Sequence, residues 1–306
     1  MVKKVGLMGF SEGNGHPFSF SAIVNGYNKN NFKNVGWDGI YDYLERKDST
    51  DFGIPGLSID FIWTQDVNLS ENIAAACNIP NVCVTQEEML TQVDALIIAR
   101  DDWQSHFELA LPFLEAGIPV FIDKPLSLDI KQLKIFKPYL VKGQLMSCAA
   151  LRYAVELDKF REDCFREPPV FINGSILIDW ERYGVHLLDG IFSAISYDVK
   201  SVFSTGDKIR TTILNCYDER IITLNCLGST AKTFNISTYS ASSKASYEVD
   251  DNFSAFKRTL SNFHKMIISG KPSIPVDQTL NIMKTLIAAN ISKCEQRLVC
   301  IDEISI

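Results

Sequence analysis

The segment Phe121-Ile122-Asp123-Lys124-Pro125 carries most of the information about the fold. Residues 120–123 predict a short apolar strand, and the proline that follows favours a turn. A lysine at the carboxyl end of a strand lies where doubly wound sheets bind their ligands. Lys124 alone could equally be a surface lysine before a turn, so its interpretation depends on the sequence on either side.

Short apolar stretches alternate with helical stretches through the first half of the chain. This alternation is typical of βαβ units, which build a parallel sheet with right-handed crossovers. The predicted strands are 5–10, 59–64, 95–99, 120–123 and 144–149. The predicted helices are 18–27, 71–77, 107–116 and 128–136, with Ser70 as the N-cap of the second and Pro138 beyond the end of the last. Residues 28–57 exceed one crossover and contain aromatic side chains, which predicts an ordered insertion.

The second half of the chain has a different pattern. Successive strand-like stretches with short polar turns predict an open, mostly antiparallel sheet, with helices at 185–196, 252–268 and 276–296. The predicted strands are 171–178, 199–205, 208–215, 219–227 and 233–239. We therefore expect an α/β protein with a doubly wound domain over residues 1–147 and a substrate-binding α+β domain over residues 148–306. The open sheet is expected to leave an apolar face that needs cover, which favours a homo-oligomer.

Composition limits the possible functions. The 306 residues are 46% hydrophobic and 22% charged with a net charge of −7, which fits a soluble globular protein. The acidic balance argues against nucleic-acid and membrane-surface partners. The N-terminal residues lack a signal-peptide core, so we expect a cytoplasmic protein. Eight cysteines without a CxxC pair and four scattered histidines predict reduced thiols and no metal site.

A glycine-rich stretch, GLMGFSEGNG at residues 6–15, links the first predicted strand to the first predicted helix. Glycines at such a place let the pyrophosphate of a dinucleotide approach the backbone at a helix N-terminus. Gly9, Ser11, Gly13 and Asn14 are therefore candidate cofactor-binding residues. The spacing departs from G-x-G-x-x-G, because Ser11 and Asn14 stand where the next two glycines would, so a glycine-rich turn without a ligand is the alternative.

The end of the second predicted strand leaves the choice of cofactor open. An acidic residue there normally binds the ribose 2′-hydroxyl of NAD, and Thr64 occupies that place here. Thr64 and Gln65 are candidate cofactor-binding residues, while Asp66 could replace the acidic residue or be a solvated turn residue. A neutral Thr64 does not repel the 2′-phosphate of NADP, and no arginine follows it, so both NAD and NADP stay possible.

A second candidate group consists of Arg182, His186 and Asp189, with Asp179 just before it. Positions 182, 186 and 189 share one face if the segment is helical. Imidazole titrates near neutrality, so His186 could exchange a proton with an alcohol or ketone, and Asp189 could orient it. A histidine satisfied by its neighbours on a half-buried helix is the alternative.

Together these stretches resemble the Gfo/Idh/MocA family of NAD(P)-dependent oxidoreductases over nearly the whole chain. Residues 114–126, LEAGIPVFIDKPL, are similar to the family signature LEAGKHVLCEKPL. Residues 93–99, VDALIIA, resemble its third-strand block, although RDDWQSH follows where Thr-Pro-Asn-His is usual. Leu151-Arg152-Tyr153 matches the Leu-Arg-Phe/Tyr that follows the last Rossmann strand.

The resemblance implies a Rossmann domain for NAD or NADP, with Lys124 and His186 serving the reaction and Lys124 also near the cofactor. The family aspartate of the D-x-x-x-H motif falls on Arg182. Either Asp179 supplies a catalytic carboxylate from nearby, or the chemistry differs, or activity is reduced. Arg182 could instead bind a carboxylate or phosphate of the substrate. The expected substrate-binding residues are Lys124, Arg152, Arg182, His186 and Asp189.

The resulting hypothesis is hydride transfer between NAD or NADP and a hydroxyl or keto carbon of a sugar or sugar derivative, a small-molecule substrate. Some stretches resemble members associated with bacterial surface-sugar pathways. The alternative is a non-catalytic NAD(P)- or sugar-binding Rossmann protein that has lost turnover. Cofactor titration separates the two classes from a scaffold that binds no cofactor.

Overall fold

The first half of the chain forms a parallel sheet. A computed structural model describes residues 2–230 and 232–306. Six strands pair in the order β3-β2-β1-β4-β5-β6, and every neighbouring pair is parallel. This order is that of a doubly wound Rossmann sheet, which confirms the predicted fold class. The strands are β1 (Lys3–Met8), β2 (Leu57–Trp63), β3 (Asn81–Val82), β4 (Ala95–Ile98), β5 (Val120–Ile122) and β6 (Leu145–Ser147).

Helices and 3-10 turns connect these strands. The carboxyl ends of β1, β4 and β5 are adjacent in the sheet, so the loops that follow them share one edge. Short 3-10 turns cover Ser49–Asp51 and Glu87–Thr91. The helices are α1 (His16–Asn25), α2 (Lys29–Phe32), α3 (Asp38–Glu45), α4 (Val67–Cys77), α5 (Trp103–Glu115) and α6 (Ile130–Val141).

Several predicted helix boundaries were wrong. Helix α5 begins at Trp103 rather than at residue 107, and the helix that begins at Val185 ends at Phe192 rather than at residue 196. Helix α4 begins earlier than expected, because the Asp66 side chain caps it by accepting from the Asn68 N–H. The Ser70 hydroxyl instead accepts from the Thr64 N–H. Helix α6 continues through Pro138, which lies on its exposed face. Water can replace the lost hydrogen bond there, and the Lys142 N–H donates to the Pro138 carbonyl, so the helix is not broken.

The insertion at residues 28–57 is ordered, as predicted, and packs on the start of α1. A Cβ atom added to Gly15 would lie 2.4 Å from Ile40 Cδ1 and 2.8 Å from a Trp37 ring atom. The Tyr43 hydroxyl donates to the Ser19 hydroxyl of α1 over 2.6 Å. Gly15 is therefore required because the insertion needs the space that a side chain would fill.

The second half contains a seven-stranded sheet in the order β12-β11-β7-β10-β9-β8-β13. Only the β7–β10 pair is parallel among the described pairs, so the sheet is mostly antiparallel, as predicted. The strands are β7 (Phe171–Ile176), β8 (Val199–Thr205), β9 (Arg210–Cys216), β10 (Ile221–Cys226), β11 (Phe234–Tyr239), β12 (Lys244–Glu248) and β13 (Val299–Cys300).

The two faces of this second sheet differ. One face is buried, and Leu187 packs within 3.1 Å of the position that a Cβ on Gly174 would take. The centre of the other face is polar: Asn225 Nδ2 donates to Asn173 Oδ1 over 2.9 Å, and the Thr223 hydroxyl donates to the same oxygen. The centre of this face, which was expected to be apolar, therefore carries hydrogen-bonded amides and hydroxyls. Self-association through the sheet stays a prediction.

Four further helices complete the chain. Contacts divide it into two compact units, and residues 125–135 join the second unit while residues 256–273 join the first. No helix within the described ranges is long and apolar enough to cross a bilayer. The helices are α7 (Leu157–Arg166), α8 (Val185–Phe192), α9 (Asn252–Ser269) and α10 (Val276–Glu295), with 3-10 turns at Ala150–Tyr153 and Ile301–Glu303 and a π-helical turn at Trp180–Gly184.

The eight cysteines are free thiols, and six of them are buried. Cys294 and Cys300 are the exposed ones. Burial raises the pKa of five of the buried thiols, to about 12 for Cys164 and to about 11 for Cys216; the other three are Cys77, Cys83 and Cys226. These thiols therefore stay protonated near neutrality and pack as small apolar groups.

Candidate active site

Lys124 lies in a buried polar cluster at the carboxyl edge of the parallel sheet. It lies two residues after the end of β5, and the residue is only 3% exposed. Its Nζ atom is 3.4 Å from Asp101 Oδ2, just after β4. The other carboxylate oxygen of Asp101 accepts from the Ser11 hydroxyl over 2.7 Å. The three residues thus connect the glycine-rich loop to the ends of β4 and β5.

Asp123 makes a second connection to the same loop. Its Oδ2 atom is 2.5 Å from His16 Nδ1 and accepts from Asn14 Nδ2 over 3.2 Å. Burial raises the pKa of the Asp123 carboxyl, but the neighbouring His16 and Lys124 outweigh that effect, and the pKa lies below its ordinary value. An ionised Asp123 therefore holds the loop against β5 at neutral pH.

The glycine-rich loop has the backbone shape that its sequence predicts. Gly9 and Gly13 have φ angles of 84° and 77°, which L side chains rarely adopt. Glu12 and Gly13 form the exposed crest, while Asn14 is buried. Of the predicted cofactor residues, Gly9, Ser11, Gly13 and Asn14 therefore gather at one edge, with Ser11 and Asn14 bonded to Asp101 and Asp123.

The N-terminus of α1 offers fewer donors than a dinucleotide-binding helix normally does. The His16 N–H donates to Asn14 Oδ1, and the Phe18 and Ser19 N–H groups donate to the Gly15 carbonyl. Pro17 has no N–H. The first turn is thus satisfied within the chain, and an anion there would depend on the loop crest and on cationic side chains.

The two residues expected at the ribose have structural partners instead. The buried Thr64 hydroxyl donates to the Asp66 carbonyl and lies 2.9 Å from the Ser70 hydroxyl. The Gln65 amide brackets Phe10, accepting from its N–H over 3.1 Å and donating to its carbonyl over 2.8 Å. Thr64 thus orders the β2–α4 turn and Gln65 supports the glycine-rich loop, and their assignment to cofactor binding stays a prediction.

Arg100 and Asp102 are residues at this edge that the sequence reasoning missed. Arg100 follows β4, and its Nε and Nη2 atoms donate to the two carboxylate oxygens of Asp102 over 2.8 and 2.5 Å. The Arg100 carbonyl lies 2.9 Å from Nε2 of the buried His106. The signal was available, since a charged Arg-Asp-Asp run directly follows an apolar strand whose carboxyl end faces ligands in this fold.

The residues at this edge fit a dinucleotide. Gly9 and Gly13 give the loop its sharp turn, its crest is exposed, and the cationic side chains of Arg100 and Lys124 lie in the same cluster. These cations can supply charge that the satisfied helix end does not. Nucleotide phosphates accept charge-assisted hydrogen bonds from such groups.

His186 belongs to a separate cluster in the second unit. The segment before it forms a π-helical turn capped by Asp179, which accepts from the Arg182 N–H over 2.9 Å. The ring of the buried His186 lies 5.3 Å from that of Tyr183 and 6.2 Å from that of Phe234. The π turn breaks the uniform helical spacing that placed residues 182, 186 and 189 on one face. Such turns occur frequently at functional sites.

Asp189 orients Arg152 rather than His186, which corrects the expected role. Its Oδ1 atom accepts from Arg152 Nε over 2.9 Å, and Oδ2 accepts from the Ala149 N–H over 2.7 Å. Burial raises the pKa of Asp189, and the opposing effects of Arg152 and Ala149 do not cancel that shift. The Nη2 atom of Arg152 is buried without a hydrogen-bond partner in the part of the chain that the structure describes.

A cavity of about 660 Å³ adjoins Asp179 in the same unit. Arg210 lies at its wall, 5.2 Å from the Trp180 ring centroid, and its Nη2 atom donates to the Ala289 carbonyl. Acidic and basic groups balance around it, which suits a polar ligand of low net charge. The charged lining residues are Asp179, Glu181, Asp207, Lys208, Arg210 and Lys293.

Comparison with known proteins confirms the predicted resemblance. Residues 42–147 match the model of the Gfo/Idh/MocA oxidoreductase family, which has an NAD-binding Rossmann fold. NAD or NADP is accordingly the cofactor class of this domain. No curated protein matches the chain by sequence.

Solved structures share the fold over the full chain. Apo scyllo-inositol dehydrogenase from Lactobacillus casei has a TM-score of 0.78 at 11% identity, with 98% of each chain covered. A probable dehydrogenase from Thermotoga maritima has a TM-score of 0.76 at 13% identity, covering 99% of this chain and 100% of that one. Myo-inositol dehydrogenase from L. casei, in complex with NAD(H) and myo-inositol, has a TM-score of 0.75 at 12% identity, covering 98% and 97%. At these identities the likeness establishes the fold.

Proposed function

We propose that this chain, a Gfo/Idh/MocA-type oxidoreductase, transfers a hydride between NAD or NADP and a hydroxyl or keto carbon of a sugar or sugar derivative. The observation that carries the proposal is the buried Lys124, which is held 3.4 Å from Asp101 at the carboxyl edge of the Rossmann sheet. A buried ammonium beside a cofactor loop is costly unless it has a task or a partner. Here the contact with Asp101 holds the amine of Lys124 in place.

In this proposal the cofactor supplies only the hydride chemistry. Lys124 donates a hydrogen bond from Nζ to the reacting oxygen, which favours the alkoxide-like charge that develops there. Asp101 and Ser11 position Lys124 through the contacts described above. The role given to Lys124 also matches the place of the lysine in the family signature.

His186 is proposed as the group that exchanges the proton of the substrate hydroxyl. During oxidation its imidazole takes that proton as the hydride leaves the carbon, and during reduction it returns the proton. Asp179 is proposed to supply the catalytic carboxylate in place of the family aspartate. Arg182 is proposed to bind the substrate. The partnerless Nη2 atom of Arg152 supports a substrate-binding role for that buried side chain as well.

The proposed substrate is a small polyhydroxylated molecule. The more specific proposal is a sugar used for surface polysaccharides. Two structurally similar dehydrogenases were solved with scyllo-inositol and with myo-inositol, whose ring hydroxyls resemble those of sugars. Free sugars, inositols, sugar acids and nucleotide-linked sugars therefore form the test panel.

A non-catalytic NAD(P)- or sugar-binding protein is the second candidate. Arg182 in the place of the family aspartate favours it, as does the N-terminus of α1, whose first-turn donors are already satisfied. The enzyme and the NAD(P)-binding form of this candidate share cofactor binding and differ in turnover.

Titration of the purified chain with NADH and with NADPH, followed by fluorescence, tests both candidates. We expect saturable binding of at least one cofactor, and binding of neither would reject the enzyme and the cofactor-binding form of the second candidate. The substrate panel is then followed at the absorbance of the reduced nicotinamide. Turnover of any member favours the enzyme, while binding without turnover across the panel favours the sensor.

Variants then assign the roles. Lys124→Met and His186→Gln should each lower turnover about 100-fold or more, the usual scale for losing a donor to the reacting oxygen or a proton-exchanging group. Because Lys124→Met removes the basic group beside the buried Asp101 carboxyl, Lys124→Met with Asp101→Asn is the second form of the test. Lys142→Ala, an exposed lysine at the opposite end of the sheet, is the control and should retain full turnover. Unchanged turnover in either test variant removes that residue from the mechanism.

A further inference from the structure

The stem of Arg100 occupies the space over Gly9 in the glycine-rich loop. A Cβ atom added to Gly9 would lie 2.4 Å from Arg100 Cδ and 2.7 Å from its Cγ. Gly9 also has a positive φ of 84°, so both its conformation and its missing side chain are needed at this place. The glycine that normally lets a pyrophosphate approach the backbone therefore also makes room for an arginine.

Three contacts fix this arginine from different directions. Its backbone carbonyl is held by His106, its stem by Gly9, and its guanidinium by the bidentate pair with Asp102. Its side chain is only 14% exposed. Ordering a long side chain in advance reduces the entropy that a ligand must overcome on binding.

The glycine-rich loop needs such a cation because the N-terminus of α1 offers few free N–H donors to an anion. The first-turn N–H groups of α1 already have acceptors within the chain, as described above. The carboxylates of Asp101 and Asp123 lie at the same edge and oppose an incoming anion. A dinucleotide carries two negative charges on its pyrophosphate, so the edge requires positive charge close to Gly9.

We propose that Arg100 binds the pyrophosphate of the nicotinamide cofactor, and that Asp102 holds the guanidinium in place until the cofactor arrives. The inference rests on the proposed function, because it concerns the same cofactor. A guanidinium has more N–H donors than the two that Asp102 engages, so it can bind phosphate while it keeps part of that pair.

The position of Arg100 in the sheet favours a contact with the pyrophosphate rather than with the 2′-phosphate of NADP. Arg100 follows β4, whereas the ribose 2′ position is contacted from the end of β2 in this fold. Strand β1 lies between β2 and β4, and its loop carries Gly9. The contact should therefore serve NADH and NADPH equally.

Two single variants with opposite expected effects test the proposal. Arg100→Ala should weaken the binding of NADH and NADPH about 10- to 100-fold, the scale of a charge-assisted hydrogen bond. The Asp102 side chain makes no cap hydrogen bond in α5, so Asp102→Asn should leave that helix intact. The variant removes the carboxylate that competes with phosphate for the guanidinium, which should outweigh the lost ordering of Arg100 and tighten binding about 2- to 5-fold. The Kd values are measured by fluorescence titration, and melting temperatures check that each variant is folded.

The double variant separates pairing from simple charge removal. If Asp102 acts through Arg100, most of the tightening by Asp102→Asn disappears in the Arg100→Ala background. Binding of adenosine, which has no phosphate, should be unchanged in Arg100→Ala, although a collapsed loop would weaken it too. Lys142→Ala removes one positive charge from the far end of the sheet and should leave every Kd unchanged.

The outcomes distinguish this proposal from the one on which it rests. Failure of the wild-type chain to bind either cofactor rejects the proposed function itself. Wild-type binding with equal affinity in Arg100→Ala rejects only the role of Arg100. A loss of affinity confined to NADPH would also overturn the proposed role of Arg100, because the contact would then be with the 2′-phosphate.

Discussion

The Nδ1 atom of His16 lies 2.5 Å from Oδ2 of Asp123, which joins the first turn of α1 to the end of β5. Rings of Phe20 and Phe256 lie 5.0 and 4.9 Å from the His16 ring. The pair is thus shielded from water beside the residue proposed to bind the reacting oxygen. Because of this pair, the geometry of the cluster around Lys124 depends on the ionisation of Asp123.

Replacing Asp123 with Asn should lower the free energy of unfolding at pH 7 by about 2 kcal/mol, because a buried charge-assisted hydrogen bond is lost. The folded-state pKa of Asp123 lies below its unfolded value of about 3.9, so its contribution is complete above that pH. It is lost as the pH falls through the folded-state pKa. Urea unfolding from pH 7 to pH 3 should therefore show the two proteins converging. The exposed Asp42→Asn is the control, and a pH-independent difference would contradict the prediction.

Removing one member of the buried Arg152–Asp189 pair should be strongly destabilising. Asp189→Ala is expected to cost about 3 to 5 kcal/mol in urea unfolding, because Arg152 would keep an uncompensated buried charge. The double variant Arg152→Met with Asp189→Leu should recover most of that loss. Glu162→Ala, which breaks an exposed pair with Arg166, should change stability by less than about 1 kcal/mol. If the double variant is as unstable as Asp189→Ala, the charge argument is wrong.

Gly15→Ala should destabilise the first domain by about 1 to 3 kcal/mol, since the new methyl group would overlap Ile40 and Trp37. Adding Ile40→Ala should restore part of the loss by making room. Gly39→Ala is the matched control, because Gly39 lies in α3 with no atom within 4 Å of its added Cβ. That variant should be neutral or more stable by up to about 1 kcal/mol. Denaturant unfolding of the four proteins measures the differences.

Gln65→Ala should loosen the glycine-rich loop without unfolding the domain. The Phe10 N–H loses its acceptor, so its amide hydrogen should exchange at least about 10-fold faster. Cofactor affinity should fall with it, because the loop is no longer held in one geometry. Gln104→Ala, on the exposed side of α5, should alter neither quantity. Unchanged exchange at Phe10 in Gln65→Ala would show that the bracket is not formed in solution.

Local patterns in the sequence were sufficient for the fold class. Apolar runs such as 95–99 and 120–123 alternate with amphipathic stretches, and this alternation depends only on neighbouring residues. The same patterns located Lys124 at a strand end and identified the insertion at residues 28–57. Helix ends were less certain, because the exposed face around Pro138 could not be read from the sequence.

The partners of the site residues depended on tertiary structure. His16 and Asp123 are 107 residues apart, and Arg152 and Asp189 are 37 apart, so no spacing rule relates them. Each pairing arises because a parallel sheet or a packed helix brings distant strand ends together.

The sequence by itself therefore determined that a strand ends at Asp123-Lys124 in a Rossmann-type sheet, since strand and turn propensities are local. Only the tertiary structure decided that Thr64 and Gln65 hold the backbone, that Asp189 belongs to Arg152, and that Arg100 lies on Gly9. A side chain with several possible hydrogen-bond partners is assigned by which of them the fold places within about 3 Å.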